Sequence, residues 1–332
     1  MKKTPFLRLE ACHALPDFLK GAVVAIGNFD GVHRGHQAVL QNALALARTL
    51  GKPAVVLTFE PHPRAVFAPD MPLARLTPAV QKAEILRILG FDAVVEQHFD
   101  RAFAARSAEF FVQSVLCGTF AASAVVVGDN FHYGSKRQGN AATLTKAGAA
   151  HGFAVRIIPS FYDSGGAVVS SSRIRKALAR GAVENAADLL GYHYTLSGKV
   201  IHGAALGRTL GFPTANMRVV TQAAPAFGVY TVRLRRADGR LYDGVASFGL
   251  RPTVNELSEP LFETFIFDFS EDIYGEPCAV SCFARLRGEK KFDGLEPLIA
   301  QMKRDEKEAR AILAKAVPLS LLDKHFCFDQ AG

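Results

Sequence analysis

The sequence contains no apolar segment long enough to cross a membrane as a helix. Such a helix needs roughly 20 consecutive apolar residues, and no stretch of this chain approaches that length. The beginning of the chain, Met1-Lys2-Lys3-Thr4-Pro5, has no long apolar run behind its charges and is therefore unlike a secretory signal. We expect a soluble protein of the cytoplasm.

The sequence also lacks the cysteine spacings that mark disulfide frameworks and zinc sites. Its five cysteines are odd in number and include no CxxC pair. We interpret them as reduced thiols. Cys278 and Cys282 lie four residues apart on a predicted strand, hence on one face, and are typical of two small buried residues rather than a metal pair.

What the chain does contain is enough material for two domains. Its length is 332 residues, of which 49% are hydrophobic, and no internal repeat or low-complexity tract is visible. The formal net charge of +8 suits nucleic acid, an anionic membrane or phosphorylated substrates. Because the basic residues are dispersed and no nucleic-acid-binding module is recognisable, we expect small molecules rich in phosphate.

The first half of the chain alternates short apolar runs with helical patterns. The runs that we interpret as strands are residues 22–26, 54–59, 93–95, 124–127 and 153–158, and the intervening helices include residues 37–50 and 77–89. This alternation predicts a parallel sheet covered by helices on both faces. Ligands of such sheets bind beyond the carboxyl ends of the strands, so the residues that follow each run are candidates for function.

From about residue 194 the pattern changes to extended segments separated by turns. These segments are residues 194–201, 229–235, 241–247, 263–269 and 279–286, and Asp238-Gly239 indicates a hairpin between two of them. A final helix is predicted from residue 294 to about 315. The second half is therefore an antiparallel barrel or sandwich with a terminal helix, and the junction falls within residues 181–192.

The first predicted strand runs into the segment GNFDGVHRGH, residues 27–36, after which a helix begins. Its glycines permit a sharp turn, and the start of a helix offers free N–H groups to a phosphate. His33 and His36 lie three residues apart and can donate hydrogen bonds to charge that develops on a phosphoryl group. The alternatives are a turn histidine beside a helix N-terminus, or a zinc site, for which no further ligand set accompanies the pair.

Two later loops also lie at the predicted ligand edge. Pro61-His62-Pro63-Arg64 follows the second strand and presents an imidazole and a guanidinium. Asp129-Asn130-Phe131 follows the fourth strand and offers polar groups and an aromatic face that suits a flat ring. Taken alone, each loop is more typical of a structural turn.

A run of serines and arginines, residues 170–175, lies near the end of the first half. Serines cap helices, whereas arginines in a first helical turn oppose the helix dipole, so a local anion would explain them. The alternative is a plain serine cap with solvated arginines.

Together these stretches resemble the nucleotidyltransferase half of the prokaryotic bifunctional riboflavin kinase/FAD synthetases. The similar segments are residues 27–36, 58–64 and 170–175. The resemblance implies a Rossmann-like domain that uses ATP and FMN, in which His33 and His36 stabilise the α-phosphoryl transition state. The residues it implies at the ATP and FMN site are Gly27, Asn28, Phe29, Asp30, Gly31, His62, Pro63, Arg64, Asp129, Asn130, Phe131, Ser171 and Arg173.

The resemblance has departures. Asn130-Phe131-His132-Tyr133-Gly134 stands where the family usually reads D-F-x-F-G, and Ser172 replaces the usual threonine of S-S-T-x-I-R. Asn130 keeps hydrogen-bonding capacity but lacks the charge of an aspartate.

The second half contains GRTLGFPTAN, residues 207–216. Thr214 and Asn216 alternate on one side of an extended segment and can direct two oxygens at one cation, a pattern that suits Mg²⁺. The alternative is a turn followed by an ordinary strand. On a later strand, alternation places Glu263 on one face with Phe265, Phe267 and Phe269, where a carboxylate is suited to accept a proton from a hydroxyl. The alternative there is a solvated glutamate at a strand end.

This half resembles riboflavin kinase over nearly its whole length. The resemblance implies a six-stranded Greek-key β-barrel with a terminal helix, Mg²⁺ on Thr214 and Asn216, and Glu263 as the base for the ribityl 5′-hydroxyl. The residues it implies at the ATP and riboflavin site are Gly207, Arg208, Gly211, Phe212, Pro213, Thr214, Asn216 and Arg251.

The two resemblances combine into one expectation. Residues 1–186 form an FMN adenylyltransferase domain, residues 187–332 form a riboflavin kinase domain, and the chain converts riboflavin to FMN and FMN to FAD with ATP and Mg²⁺. The alternatives are a kinase with a disabled adenylyltransferase domain and a non-catalytic flavin-binding regulatory module. We expect ATP, riboflavin and FMN as partners and neither nucleic acid nor membrane; transient self-association and delivery of flavin to apo-flavoproteins stay open.

Overall fold

The computed structural model describes residues 5–10, 15–71, 73–202, 212–219, 222–250 and 260–329. The chain divides into two compact units, Met1–Ser170 and Ser171–Gly332. Within these described ranges, no helix has both the length and the apolar character that a membrane span requires.

The first unit is built on a parallel sheet. Its strands are β1 (Leu7–Glu10), β2 (Val23–Ile26), β3 (Ala54–Glu60), β4 (Ala93–His98), β5 (Ala124–Gly128), β6 (His132–Tyr133), β7 (Gly139–Asn140) and β8 (Ala154–Ile158). Six of them pair in parallel in the order β1-β4-β3-β2-β5-β8, and β6 and β7 form a separate short ribbon. This confirms the predicted sheet.

Helices connect these strands. They are α1 (Arg34–Leu50), α2 (Pro63–Phe67), α3 (Ala79–Leu89), α4 (Arg101–Ala104), α5 (Ala108–Phe110) and α6 (Ala141–His151). After α5 the chain continues as a π-helix, Phe111–Thr119, and short 3-10 turns lie at Asp17–Leu19 and Ser135–Arg137. Helix α1 ends at Gly51 with a φ of 60°, a left-handed conformation that glycine adopts without steric cost.

The strand order places the ligand edge of the sheet. The chain passes from β2 outward to β3 and β4, and then returns to the other side of β2 to form β5 and β8. The carboxyl ends of β2 and β5 therefore flank the point at which the winding direction reverses, where open parallel sheets bind their ligands. The segment that begins at Gly27 lies at this point.

Strand β1 was not among the predicted strands. Its residues, Leu7-Arg8-Leu9-Glu10, alternate between half-buried and exposed positions because β1 is an edge strand. The predicted strands instead have consecutive apolar residues, and all four residues of β2 are buried. A four-residue alternating segment is too short to be distinguished from a loop by periodicity.

The second unit contains two helices, a barrel and two further helices. The elements are α7 (Ser171–Ala179), α8 (Val183–Leu190), β9 (Tyr194–Ile201), β10 (Thr214–Arg218), β11 (Gly228–Arg235), β12 (Leu241–Leu250), β13 (Pro260–Ile266), β14 (Pro277–Arg287), α9 (Leu295–Leu313) and α10 (Leu321–Cys327). The described strands close in the order β10-β13-β12-β11-β14-β9, with antiparallel neighbours throughout. Strands β11, β12 and β13 form a meander, and the preceding strand β10 lies beside β13. This arrangement of four strands is the Greek key that the resemblance implied.

The interior of the barrel is filled by aromatic side chains. Tyr230, Phe248 and Phe262 are completely buried. The rings of Phe248 and Phe262 stack with centroids 5.2 Å apart, and those of Tyr230 and Phe262 lie 6.3 Å apart. Because these rings occupy the interior, polar residues on the barrel strands that face outward are the ones available to a substrate.

A buried hydrogen-bonded pair joins α10 to the residue that precedes β9. His193 Nδ1 lies 2.9 Å from Asp323 Oδ1, and the same carboxylate accepts hydrogen bonds from the backbone N–H groups of His193 and Leu319. The hydrogen bonds of His193 hold the pKa of Asp323 below its usual range although burial alone would raise it. This contact links residues 130 positions apart in sequence.

The region predicted as the junction is helical. Helix α8 occupies Val183–Leu190, and Val183, Ala186 and Leu190 on its inner side are buried. The compact units divide at residue 170, whereas the predicted domains divide at residue 186, so the intervening helix α7 and the start of α8 are counted in the second unit. The domain boundary at residue 186 stays a prediction.

Candidate active sites

The two histidines lie at the start of α1, directly after the loop that leaves β2. His33 is the N-cap of the helix, and its Nδ1 accepts a hydrogen bond from the backbone N–H of His36 at 3.2 Å. Because Nδ1 is an acceptor, the neutral His33 ring carries its proton on Nε2. A sequence that reads His-x-x-His thus folds so that the first histidine caps the helix that carries the second.

The two rings form a stacked pair. Their centroids are 3.6 Å apart and their planes are 17° from parallel, while the ring of Phe29 meets His36 edge-on at 5.4 Å. The glycines of the motif make room for this arrangement. A Cβ on Gly27 would lie 2.9 Å from the Phe29 ring, and one on Gly35 would lie 3.2 Å from Cε1 of His33.

Both histidines are electrically neutral at neutral pH. Burial lowers the pKa of His33 to about 4, and it lowers the pKa of His36 well below its usual value, with further contributions from His33 and Lys82. Within the described part of the chain, the buried Nδ1 of His36 has no hydrogen-bond partner. A neutral imidazole can donate an N–H to an anionic oxygen, so the pair is suited to hold a phosphoryl group.

The loop that carries the histidines contains strained backbone. Phe29 and Val32 have φ values of 48° and 36°, although neither is glycine and Val32 is β-branched. Both side chains are almost completely buried. Such conformations persist where the surrounding structure enforces them, and they occur frequently at functional sites.

A segment before α3 holds one side of this loop. The carboxylate of the buried Asp30 accepts hydrogen bonds from the backbone N–H groups of Leu76 and Thr77 at 2.9 and 3.1 Å. Gly31 in turn donates its N–H to the hydroxyl of Thr77 at 2.9 Å. Asp30 and Gly31 were predicted at the nucleotide site, and these contacts show that they also fix the loop to residues 76–77.

Lys82 on α3 holds the other side of the loop. Its ammonium donates to the carbonyl of Asn28 at 3.2 Å, to the hydroxyl of Thr58 at 2.9 Å and to Glu60 Oε1 at 3.0 Å. Its side chain is completely buried. Burial lowers the pKa of Lys82, while the neighbouring carboxylate of Glu60 opposes this change.

Glu60 connects Lys82 to Arg75. The Arg75 guanidinium makes a bidentate contact with the Glu60 carboxylate at 2.9 and 2.8 Å. Burial opposes ionisation of Glu60, but the hydrogen bonds and charges of Arg75 and Lys82 lower its pKa to about 2. Sequence reasoning identified neither Lys82 nor Arg75. The sequence did contain one sign that Lys82 is buried: on a helix it shares a face with the apolar residues Ile85 and Leu86.

The loop after β3 caps a short helix. The His62 side chain accepts from the backbone N–H of Arg64 at 3.1 Å, and Pro63 begins α2. At the end of this helix, the Phe67 side chain is 66% exposed and its ring meets that of Phe99 at 5.9 Å. Phe67 was not predicted as a site residue.

The polar and the aromatic residues of the loop after β5 lie in different environments. Asp129 accepts hydrogen bonds from the backbone and the hydroxyl of Ser160 at 2.8 and 2.9 Å, so it joins the ends of β5 and β8. Asn130 is exposed, whereas Tyr133 is buried and stacks on Phe131 with centroids 5.6 Å apart. The Tyr133 departure therefore lies in the core of the unit.

Ser171 and Arg173 lie in the first turn of α7, as the serine-rich pattern indicated. That helix belongs to the second compact unit. Their predicted contact with ATP phosphates stays a prediction.

The predicted kinase residues lie together on the outer face of the barrel. On β10, alternation places Thr214 and Asn216 on the face opposite to Ala215 and Met217. Thr214 is half-buried on that face, and Asn216 is buried. The register pairs Asn216 with Glu263 of β13, and pairs Thr214 with Phe265. Directly opposed residues of antiparallel strands lie on the same face, roughly 5 Å apart between their Cβ atoms.

The outer face beside Glu263 is partly aromatic. Phe265 lies on the same face and contacts Phe212 at a centroid distance of 4.9 Å and Phe267 at 5.7 Å. Strand β13 ends at Ile266, and Asp268 then adopts a φ of 54°, so the predicted alternation does not continue to Phe269. Phe269 instead packs edge-on against Tyr242.

The remaining predicted kinase residues divide into two groups. Phe212 is buried and Pro213 is exposed at the start of β10. Gly207, Arg208, Gly211 and Arg251 lie outside the described residues.

Comparison with known proteins matches each half of the chain to one family. The FAD synthetase family model matches residues 15–173, and the riboflavin kinase family model matches residues 190–313. These matches place the parallel-sheet site in the first family and the barrel site in the second.

Whole-length relatives contain both parts. A bifunctional riboflavin kinase/FMN adenylyltransferase from Haemophilus influenzae is 41% identical over 303 residues, covering 91% of this chain and 98% of that protein. The protein of the same name from Escherichia coli K12 is 40% identical, covering 90% and 95%. A crystal structure of a protein from Streptococcus pneumoniae, described as a macrolide-efflux protein, has a TM-score of 0.80 and 32% identity, covering 92% of this chain and 98% of that one.

The coverage of the two curated relatives is nearly complete in both directions, and the two family models match in the same order as the two sites. The chain belongs to the family of bifunctional riboflavin kinase/FMN adenylyltransferases.

Proposed function

We propose that this chain phosphorylates riboflavin to FMN at the outer face of its barrel and adenylylates FMN to FAD at the carboxyl edge of its parallel sheet, with ATP as the donor in both reactions. The observation that carries the proposal is that both sets of reactive groups are assembled in one chain. His33 and His36 are stacked at a helix start, and Asn216 and Glu263 are paired across two strands.

In the adenylyl transfer, a phosphate oxygen of FMN attacks the α-phosphorus of ATP, and the bond between that phosphorus and the bridging oxygen breaks to release pyrophosphate. The N-terminus of α1 contributes backbone N–H groups and a favourable dipole for the phosphates. The neutral rings of His33 and His36 donate hydrogen bonds to the α-phosphoryl oxygens as charge develops on them. Positioning and charge stabilisation account for most catalysis of this type.

The exposed Phe67 is suited to the flavin ring of FMN. It lies four residues beyond Pro63 on α2, at the carboxyl end of β3, and its ring belongs to a cluster with Phe59, Phe99 and Phe103. A flat aromatic ligand gains from stacking on such a surface. Arg64 on the same short helix supplies a cation for the FMN phosphate.

In the kinase reaction, Glu263 accepts the proton of the ribityl 5′-hydroxyl as that oxygen attacks the γ-phosphorus of ATP and ADP leaves. Thr214 and Asn216 face outward two residues apart, and Glu263 lies opposite Asn216, so hard oxygen donors converge on one patch of the barrel. This donor set fits Mg²⁺, which would be held by Thr214 and Asn216 and would neutralise phosphate charge.

The alternative function is that of a kinase with a disabled adenylyltransferase domain. That alternative arises from the departures at Asn130 and Tyr133. Tyr133 is buried, stacks on Phe131 and packs at a tilt against Phe111, and its hydroxyl lies 3.5 Å from that of Thr143. Its difference from phenylalanine is therefore accommodated in the core. Asn130 is exposed and retains two hydrogen-bonding groups. These observations favour an active site over a disabled one.

The decisive experiment is chromatography of the products formed by the purified chain from riboflavin, ATP and Mg²⁺, repeated with FMN in place of riboflavin. Sequential FMN and FAD are expected. FMN alone would support the disabled domain, and neither product under varied metal and flavin redox conditions would support a non-catalytic flavin-binding module. A cytoplasmic location, transient self-association and delivery of flavin to apo-flavoproteins stay predictions.

A further inference from the structure

The ammonium of Lys82 occupies a position that no substrate can contact. Its side chain has no exposed surface, and its three N–H groups meet three acceptors: the carbonyl of Asn28, the hydroxyl of Thr58 and the carboxylate of Glu60. An ammonium has three donors. Its hydrogen-bonding capacity is therefore used completely within the protein.

One of those acceptors belongs to the loop that carries the histidines. The Asn28 carbonyl directly precedes Phe29, whose φ is 48° and whose ring meets His36 edge-on at 5.4 Å. Thr58, which Lys82 also contacts, donates its own hydroxyl to the same carbonyl at 3.3 Å. Displacement of this carbonyl would move Phe29 and would remove the ring that supports one edge of His36.

The opposite side of the loop has separate supports. Asp30 accepts from the N–H groups of Leu76 and Thr77, and Thr77 accepts from Gly31. Lys82 acts on Asn28, two residues earlier, so the strained turn is held from both sides by the chain around the start of α3. Arg75 connects the two supports, because its guanidinium pairs with Glu60 and its Nε lies 3.6 Å from Asp30 Oδ1.

We infer that Lys82 is a positioning residue for adenylyl transfer: its ammonium fixes the Asn28 carbonyl and thereby holds His36 in place against Phe29. This inference rests on the proposed function of the His33–His36 site. In this role Lys82 makes no contact with ATP or FMN, unlike a residue that binds phosphate directly.

The test compares Lys82→Met, which removes the ammonium and keeps most of the aliphatic stem, with Arg8→Met as a matched control. Arg8 makes a bidentate ion pair with the buried Glu96 in the same sheet, and among the described residues its side-chain hydrogen bonds go to Glu96 and not to the loop. Steady-state kinetics are measured for FAD formation from FMN and ATP. Circular dichroism and urea unfolding report whether the first unit of each variant is folded, and the riboflavin kinase activity of the same preparations reports the second unit.

For Lys82→Met we expect kcat for FAD formation to fall about 100-fold, the loss typical when reacting groups move by roughly 1 Å. We expect KM for ATP and FMN to change less than about threefold, because no substrate contact is removed. Arg8→Met is expected to retain the kcat of the parent chain. The ring nitrogen resonances of His36 should shift in Lys82→Met and stay in place in Arg8→Met.

A milder variant covers the case in which Lys82→Met does not fold. Thr58→Val removes the second donor to the Asn28 carbonyl and leaves the ammonium, and it should lower kcat by a smaller factor with the same unchanged KM. An unchanged kcat, a rise in KM for ATP without loss of kcat, or an equal loss in Arg8→Met would overturn the inference. If the parent chain itself forms no FAD, the proposed function fails instead, so the two failures are distinguishable.

Discussion

The rings of His33 and His36 are stacked with centroids 3.6 Å apart, at the first turn of the helix that His33 caps. The pair is neutral because burial disfavours a charge on either ring. Two neutral donors at a helix N-terminus can stabilise phosphate charge through their own N–H groups and through the helix dipole.

The first prediction concerns this pair. His36→Ala removes one donor to the developing α-phosphoryl charge, so kcat for FAD formation should fall by roughly 100-fold to 1,000-fold. FMN formation from riboflavin should keep its parent rate, because the kinase residues lie in the second unit. Product chromatography with each flavin substrate measures both rates. His151→Ala, at the exposed end of α6, is the control, and an equal loss in that variant would argue against a specific role of His36.

The second prediction is the reverse lesion. Glu263→Gln keeps the size of the side chain but removes its capacity to accept a proton, so FMN formation should fall by about 100-fold to 10,000-fold. FAD formation from added FMN should continue unchanged. Glu308→Gln, at an exposed position on α9, is the matched control and should affect neither rate. Loss of both activities in Glu263→Gln would contradict the independence of the two sites.

The third prediction concerns the metal. Asn216→Ala removes one of the two proposed oxygen ligands, so the Mg²⁺ concentration that gives half-maximal kinase rate should rise about tenfold or more. A chelator should abolish FMN formation by the parent chain, and added Mg²⁺ should restore it. The titration is read from FMN formation at saturating ATP. An unchanged Mg²⁺ requirement in Asn216→Ala would show that the metal is held elsewhere.

The fourth prediction is a pH dependence of stability. The pKa of His33 is about 4 in the folded chain against an ordinary value of 6.5, so the unfolded chain binds the proton first as the pH falls. The free energy of unfolding of the first unit should therefore decrease as the pH falls from about 6.5 to about 4. Glu60, with a pKa of about 2 against 4.5, contributes stability above about pH 4.5 that is lost as the pH falls toward 2.

Urea unfolding at a series of pH values measures this dependence. His33→Asn keeps a side-chain oxygen that can cap α1 but removes the titrating ring, so the decrease between pH 6.5 and 4 should become smaller while the loss below about 4.5 persists. If the free energy of unfolding of His33→Asn depends on pH in the same way as that of the parent chain, His33 is not the cause of the decrease.

The fifth prediction compares a buried carboxylate, that of Asp323, with an exposed one, that of Asp268. Asp323→Ala leaves His193 and two backbone N–H groups without their buried acceptor, so the free energy of unfolding should fall by roughly 3–5 kcal/mol. Asp268→Asn removes the charge of the exposed Asp268 carboxylate, which pairs with Arg310, and keeps a residue that tolerates the φ of 54° at this position. It should cost less than about 1 kcal/mol. Equal losses in urea unfolding would contradict a structural role for the buried pair.

The sequence predicted most of the scaffold. The consecutive valines of β2, β3 and β5 and the turn at Asp238-Gly239 indicated their strands because burial on both faces and hairpin turns leave strong local patterns. The edge strand β1 and the seven-residue helix α10 were not predicted. Both are short, and the contacts that stabilise them join distant parts of the chain, such as Arg8 with Glu96 and His193 with Asp323.

The sequence by itself determined where the candidate catalytic groups lie along the chain. One pattern is the glycine-rich loop followed by His33, His36 and a helix, and the other is the two-residue alternation that puts Thr214 and Asn216 on one face. Both patterns are local, because the 3.6-residue period of a helix and the two-residue period of a strand act over neighbouring residues.

Only the tertiary structure decided how those groups are held. The Asn28 carbonyl and Lys82 are 54 residues apart, and Glu60 and Arg75 are 15 apart, yet they form one buried network under the histidine loop. A lysine in a helical pattern looks like a solvated residue until the sheet and α3 pack together. The packed structure buries its ammonium and surrounds it with three oxygens. These acceptors are required because an unpaired charge in that position would cost more free energy than the fold can supply.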